Sequence, residues 1–314
     1  MRILVTGPLG HIGSLFIRQI PSGVIDDVVL VDNMLTQRYC SLFDLPAQVR
    51  YRFIEADVLK VDWDVLLKGV HAVIHFAAIT DAAGSFGKVD EVESVNFIGT
   101  QRLAKACATH KVRLFFPSTT SVYGTQDGLV DESCSQEQLK PQSPYADSKL
   151  KAEEFLQELG RSEGLRFVVA RFGTITGVAP GMRFHTAVNK FCWQAVMGQP
   201  LTVWRTALHQ KRPYLTMTDA VRAVLFMMEK DLFDGKIYNV VTSNLTVDGI
   251  VQMIRTSIED VRVELVDTRI MNQLSYEVSG QRLMDAGFKY NGDIAADVQG
   301  TIKLLARAGG RHVS

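Results

Sequence analysis

Tyr145 and Lys149 stand four residues apart in a helical pattern, so their side chains leave the same helix face. A tyrosine accepts a proton only when its phenol ionises near neutrality. From an ordinary pKa of about 10 this asks for a fall of about 3 units, roughly 4 kcal/mol. A neighbouring ammonium biases the phenol in that direction. The bare pair equally describes two exposed helix residues, so its chemistry depends on its surroundings. One such segment is Ser118-Thr119-Thr120-Ser121-Val122-Tyr123-Gly124, which ends an apolar run with a row of hydroxyls.

Another is Thr6-Gly7-Pro8-Leu9-Gly10-His11-Ile12-Gly13, directly after the first apolar run. Glycines at 7, 10 and 13 permit a tight turn, close approach of a phosphate to the backbone and close helix–strand packing. The helix opening at His11 and Ile12 directs free N–H groups at a pyrophosphate. Asp32 follows Gly13 by 19 residues, at the end of Val29-Leu30-Val31 and before Asn33. A carboxylate there takes both ribose hydroxyls and repels a 2′-phosphate, which predicts NAD rather than NADP. The competing reading is a glycine turn with a capping aspartate. Asp57-Val58 and Phe76-Ala77-Ala78 end the third and fourth apolar runs, on the edge where dinucleotides bind. His75 reads as a strand-end histidine, not a catalyst.

The elements that hold these groups alternate. Apolar runs at Arg2–Val5, Val28–Val31, Tyr51–Ile54, Ala72–Phe76, Leu114–Phe116 and Phe167–Ala170 read as strands, with helical patterns near 11–20, 62–69, 92–110 and 145–160. Fully apolar strands with helical crossovers predict a parallel sheet covered on both faces, a doubly wound α/β fold. Ser143 and Pro144 are set to cap the last of these helices. Beyond residue 171 glycines and prolines interrupt the pattern. A helix at 184–197, a strand at Leu201–Trp204, a basic loop from Arg205 to Arg212, a helix at 218–229 and strands at Ile237–Val241 and Val261–Val266 follow. This predicts a dinucleotide domain of residues 1–172 and 213–242, and a smaller, discontinuous α/β substrate domain of 173–212 and 243–314.

Composition excludes several classes. Apolar residues make up 46% and charged residues 22% of 314, an ordinary globular mix. Lys plus Arg and Asp plus Glu are both 34, which speaks against a nucleic-acid binder. Cys40, Cys107, Cys134 and Cys192 lack metal spacing and predict no metal site. With no secretory leader and no run near the length of a membrane span, a cytoplasmic protein is expected.

The helix string Pro141-Gln142-Ser143-Pro144-Tyr145-Ala146-Asp147-Ser148-Lys149, with the glycine loop and the Ser118–Gly124 segment, closely resembles the extended short-chain dehydrogenase/reductase family, especially its nucleotide-sugar epimerases and dehydratases. The resemblance runs through Asn96-Phe97-Ile98-Gly99-Thr100, Arg171-Phe172, Arg212-Pro213-Tyr214 before Asp219, and Tyr238-Asn239-Val240. It implies a Rossmann sheet, Tyr145 as acid/base, and Lys149 on the nicotinamide ribose, lowering the tyrosine pKa. Thr119 would bond the reacting sugar oxygen, Thr120 and Tyr123 would touch substrate, and Asn96 would be structural. A homodimer through the helices near 92–110 and 145–160 is also implied.

Members resembling 4,6-dehydratases carry Asp-Glu after the catalytic hydroxyl, and decarboxylase-like members a glutamate at the second position. Here Thr120 and Ser121 stand there. The expectation is therefore an NAD-dependent epimerase of a nucleotide-activated sugar. A net dehydrogenase of a small alcohol or amino acid, and a non-catalytic dinucleotide binder, are the alternatives. For the nucleotide handle the candidates are Arg212 with Lys211, His209 and Arg205, against a solvated basic loop. Trp204 either stacks on a base or packs. Asn189, Lys190, Arg183 and His185 come from the same side. Thr174 stands where many sugar epimerases have an asparagine on the diphosphate, the loop after Trp204 lacks the usual Gly-Asp-Gly, and Asn272-Gln273-Leu274-Ser275 replaces a segment that often supplies a second arginine.

Overall fold

The structure, a computed structural model, describes residues 1–126, 128–267 and 276–309. Five strands, β1 (Arg2–Thr6), β2 (Asp27–Asp32), β3 (Arg50–Glu55), β4 (Ala72–His75) and β5 (Arg113–Thr119), join Phe167–Phe172 and Ile237–Val240 in one sheet. All its pairings are parallel, in the order Ile237–Val240, Phe167–Phe172, β5, β4, β1, β2, β3. Alternation within each apolar strand builds a core on either side. Ile3, Val5, Val28 and Leu30 pack with Phe16 and with Val221 and Val224 of the helix Met217–Glu229. Leu4, Val29 and Val31 pack with Leu103 of the helix Gly99–His110 and Leu156 of the helix Pro144–Glu163. β1 has β2 on one side and β4 on the other, so the chain reverses winding there. A crevice opens at the carboxyl ends of β1 and β4, and the glycine loop sits in it.

A third core lies beneath the helices Ala187–Val196, Val247–Arg255 and Ile294–Leu305, with Val188, Leu201, Ile250 and Ile302 inside it. The strand Lys211–Thr216 pairs with both Thr174–Thr176 and Ser243–Thr246, and so runs across the expected division at 212–213. Among the described residues no helix is long and apolar enough to cross a membrane, and no cluster of potential metal ligands exists.

Several boundaries differ from the pattern reading. The first helix is α-helical only over His11–Phe16, and the helix near 62–69 shrinks to Trp63–Leu66. The helix near 92–110 consists of Val89–Val92, a π-helical segment Glu93–Ile98 and Gly99–His110. The basic loop is a short turn, Arg205–Ala207, whose last basic residues already belong to the strand Lys211–Thr216.

Candidate active site

The candidate groups Thr119, Tyr145 and Lys149 are set by β5 and the helix Pro144–Glu163. The Ala146 N–H donates to Ser143 Oγ at 3.2 Å and Pro144 opens the first turn, which fixes the helix start immediately before Tyr145. Tyr145 and, one turn later, Lys149 reach a cavity of about 570 Å³, within the range of small-molecule sites. Thr119 reaches it from the end of β5; its Oγ1 accepts the Ser121 N–H at 3.1 Å, which leaves its own proton to donate. Gly7, Gly10, His11, Ile12 and Gly13 line one part of the cavity, and Thr174, Trp204 and Arg212 another.

Burial pushes the Tyr145 phenol upward, and the opposing pull comes from the Arg183 guanidinium and then the Thr119 hydroxyl. Lys149 is itself buried, donating to the Pro117 carbonyl at 2.9 Å over the Phe116 ring. Desolvation brings it down to about 7, with Glu153 resisting.

His75 is fully buried and burial lowers it to about 3, so it is neutral. Thr100 Oγ1 gives its proton to the Asn96 carbonyl at 2.6 Å, so His75 Nε2 donates to Thr100 at 3.1 Å and His75 Nδ1 accepts from Thr6 at 2.7 Å. Asn96 pins the backbone of Ile79 with bonds of 2.8 and 2.9 Å and donates to Ser148 Oγ at 3.1 Å. Both residues are buried and held by these bonds.

Close backbone packing requires glycine at two positions of this loop. A Cβ on Gly7 would fall 2.6 Å from the Ala77 nitrogen, and one on Gly13 2.5 Å from the Gly7 carbonyl. The helix start at Gly10 has no side-chain cap, and His11 Nδ1 is buried without a partner among the described residues. Residues 177–183 lie over this loop: His11 Nε2 donates to the Gly177 carbonyl at 2.8 Å, and Ser14 Oγ accepts the Gly181 N–H at 2.8 Å.

A model of the NAD dependent epimerase/dehydratase family matches residues 3–240. The chain belongs to that family. An uncharacterized UDP-glucose epimerase of Bacillus subtilis (strain 168), YtcB, is 31% identical over 249 residues, covering 76% of each chain. A dTDP-glucose 4,6-dehydratase of Streptomyces niveus is 30% identical over 237 residues, covering 73% of this chain and 69% of that one. The chain spans about half the length of a trifunctional plant enzyme that it also matches. Among solved structures, MoeE5 in complex with UDP-glucose and NAD has a TM-score of 0.84 at 26% identity, covering 98% of this chain and 99% of that one. Its complex with UDP-glucuronic acid and NAD has a TM-score of 0.83 at 25% identity.

NAD is the cofactor of this epimerase/dehydratase family, and the backbone-lined crevice here fits it. Phe76 and Ala78 line the cavity as expected from the strand end. Asp32, Asn33, Asp57, Val58 and Ala77 lie off its wall, each for a local reason. Asp32 accepts the Leu9 and Met34 N–H groups at 3.3 and 3.0 Å, and burial raises its pKa. Asn33 and Asp57 accept from Leu35 and Leu59 at 3.1 and 2.9 Å, Val58 packs in the core, and the Ala77 N–H is held by Thr6 Oγ1 at 3.2 Å. The wall beside Asp32 is instead Leu35, Thr36 and Arg38, which sequence reasoning missed because they follow the strand irregularly.

On the substrate side Thr120 and Thr174 line the cavity, but Tyr123 and Asn189 do not. Tyr123 is fully buried, with its hydroxyl donating to Asn239 Oδ1 at 2.9 Å and Arg171 over its ring. Asn189 is turned inward to donate to the Arg183 carbonyl at 3.0 Å. The basic run is split by remote carboxylates: Arg205 pairs with Asp267 and Lys211 with Glu277, while Arg212 reaches the cavity. Arg183 also lines it, with Nη1 bonded to Thr80 Oγ1. The expected departure at Asn272–Ser275 lies outside the described residues.

Proposed function

We propose that this protein is a 4-epimerase of a nucleotide-linked sugar, with Tyr145 as acid/base, Thr119 on the reacting oxygen, and Lys149 beside the cofactor. The observation that carries the reading is the wall around Thr119 and Tyr145. Among the described residues Asp81 is the only carboxylate lining the cavity, and its Oδ1 already accepts the Gly84 N–H at 3.0 Å. Thr120 and Ser121 occupy the two positions after Thr119. Eliminating water needs a further acid and base near a second sugar carbon, and hydroxyls do not titrate usefully. Epimerisation needs one acid/base. Bound NAD supplies a reversible hydride acceptor and a positive ring. Tyr145 takes the proton of the sugar hydroxyl as that carbon loses hydride, while Thr119 donates to the same oxygen. Once the keto sugar has turned over in the cavity, its carbon regains the hydride on the opposite face and Tyr145 returns the proton.

Arg183 favours an acidic sugar within this class. Its Nε is buried and without a partner among the described residues, close enough to the phenol to be the leading charge acting on it. A cavity-lining guanidinium with a buried spare donor suits a carboxylate, and UDP-glucuronic acid is a ligand of MoeE5.

The test is product analysis on purified protein with UDP-glucose and UDP-glucuronic acid. The 4-epimer should form without added cofactor, and denaturation should release stoichiometric NAD. Products that have lost water would establish a dehydratase instead; NADH accumulating with turnover dependent on added NAD would establish a dehydrogenase. Arg183→Gln is expected to lower the ratio of kcat/KM for the uronate over the neutral sugar by about 30-fold, about 2 kcal/mol for a charged hydrogen bond. An unchanged ratio removes the acidic-sugar assignment. A homodimer through the helices Gly99–His110 and Pro144–Glu163 is part of the proposal, and light scattering showing a monomer at working concentration rejects it.

A further inference from the structure

We propose that Glu153 is a positioning residue for Lys149: its buried carboxylate, clamped by Arg171 and Ser118, is the counter-charge that keeps the Lys149 ammonium protonated in the site. The proposal rests on Lys149 being the cation beside the cofactor, and it concerns how that charge survives burial.

The two residues are one helical turn apart on the inward face of the helix Pro144–Glu163, and they are only 2% and 1% exposed. The one protein acceptor bonded to Lys149 Nζ among the described residues is the neutral Pro117 carbonyl. An ammonium removed from water with a single neutral partner gives up its proton readily. Ser118, the residue after that carbonyl, donates its hydroxyl to Glu153 Oε1. From the neighbouring strand, Arg171 Nε bonds both carboxylate oxygens at 3.1 and 3.2 Å, and Nη2 bonds Oε2 at 2.7 Å. Arg171 is fixed in turn over the Tyr123 ring.

Each element packed against Lys149 can be read for charge. β4 brings His75, neutral for the reason given above. β5 brings Ser118 and Thr119, which are uncharged. Phe167–Phe172 brings Arg171, which is bound to Glu153 and is not among the charges that act on Lys149. The lysine's own helix brings Tyr145 and Glu153. Glu153 is therefore the anion available, and it is the group that opposes the desolvation of Lys149.

A simpler role for Glu153 is to neutralise Arg171. Glu153→Gln alone leaves Arg171 buried and unpaired and so tests folding more than function. The deciding variant is Glu153→Gln/Arg171→Met, which removes both charges together. Its readout is the titration of the Lys149 side-chain carbon in protein labelled with ¹³Cε-lysine, purified with its own cofactor, with the resonance assigned by its loss in Lys149→Met. Because burial already depresses this lysine, losing the counter-charge moves it further down. The midpoint should fall by about one pH unit, and the pH–turnover profile should shift toward lower pH with it. An unchanged midpoint overturns the proposal and leaves Glu153 as the partner of Arg171 alone. A lowered midpoint with an unmoved pH–turnover profile upholds the counter-charge role and overturns instead the catalytic reading of Lys149.

Discussion

Tyr145→Phe is expected to reduce kcat by about 10³-fold, within the range attributed to a positioned acid/base and equal to roughly 4 kcal/mol of barrier. The substitution removes one oxygen and keeps the ring at the start of a helix whose Ser143 cap and Pro144 are untouched. Circular dichroism, melting temperature and the NAD released on denaturation should all match the wild type. The pH profile adds a second readout. Burial raises the phenol, so the fraction of phenolate, and with it turnover, grows as pH rises. Lys149, brought down to about 7, loses its charge over the same direction of change. Wild-type turnover should thus depend on pH through both groups, with Lys149 titrating first and the phenol at higher pH. The dependence on the phenol should vanish from the residual activity of Tyr145→Phe. A variant that turns over its true substrate at the wild-type rate would end the acid/base assignment.

The parts of this site visible in the sequence are those fixed by neighbours close in the chain. The glycine loop is a local turn between β1 and the first helix, and the Ser143 cap acts three residues away on Ala146. The parallel sheet was equally visible, because each strand buried on both faces must be apolar throughout. What stayed hidden depends on partners remote in sequence. Tyr123 looks like a pocket residue until Asn239 and Arg171 take its hydroxyl and ring. Arg205 and Lys211 look like parts of one phosphate-binding run until Asp267 and Glu277 claim them. Asp32 sits where a ribose-binding carboxylate belongs, and the chain does not announce that its oxygens also take the N–H groups of Leu9 and Met34. The charge state of Lys149 was the hardest to read. A Tyr-x-x-x-Lys pattern says nothing of desolvation, and the carboxylate that opposes it lies beyond the end of the pattern.

Asp219→Ala is expected to give the largest loss of stability, about 3–5 kcal/mol, through a residue outside the cavity wall. Asp219 is fully buried near the start of the helix Met217–Glu229. Its Oδ1 accepts Arg222 Nη1 and the Asn291 N–H, both at 3.0 Å. Its Oδ2 accepts Thr242 Oγ1 at 2.8 Å and the Gly292 N–H at 3.0 Å. One carboxylate thereby ties this helix to the end of the sheet strand Ile237–Val240 and to the approach of the helix Ile294–Leu305. The fit is close: a Cβ on Gly292 would fall 2.6 Å from Asp219 Oδ2. Truncation leaves two backbone N–H groups and a threonine hydroxyl without this acceptor. Set against a typical total of 5–15 kcal/mol, the loss should lower the melting temperature by about 10 °C. Asp219→Asn keeps the volume and one acceptor but turns an amide donor toward other donors, so it should fall between the two. Thermal melts of the three proteins at one concentration, each with its NAD content measured, decide the matter. An alanine variant melting within about 2 °C of the wild type would mean that the loop at 291–292 is held by its apolar packing, with Phe288 and Tyr290 against the first core, and not by the carboxylate.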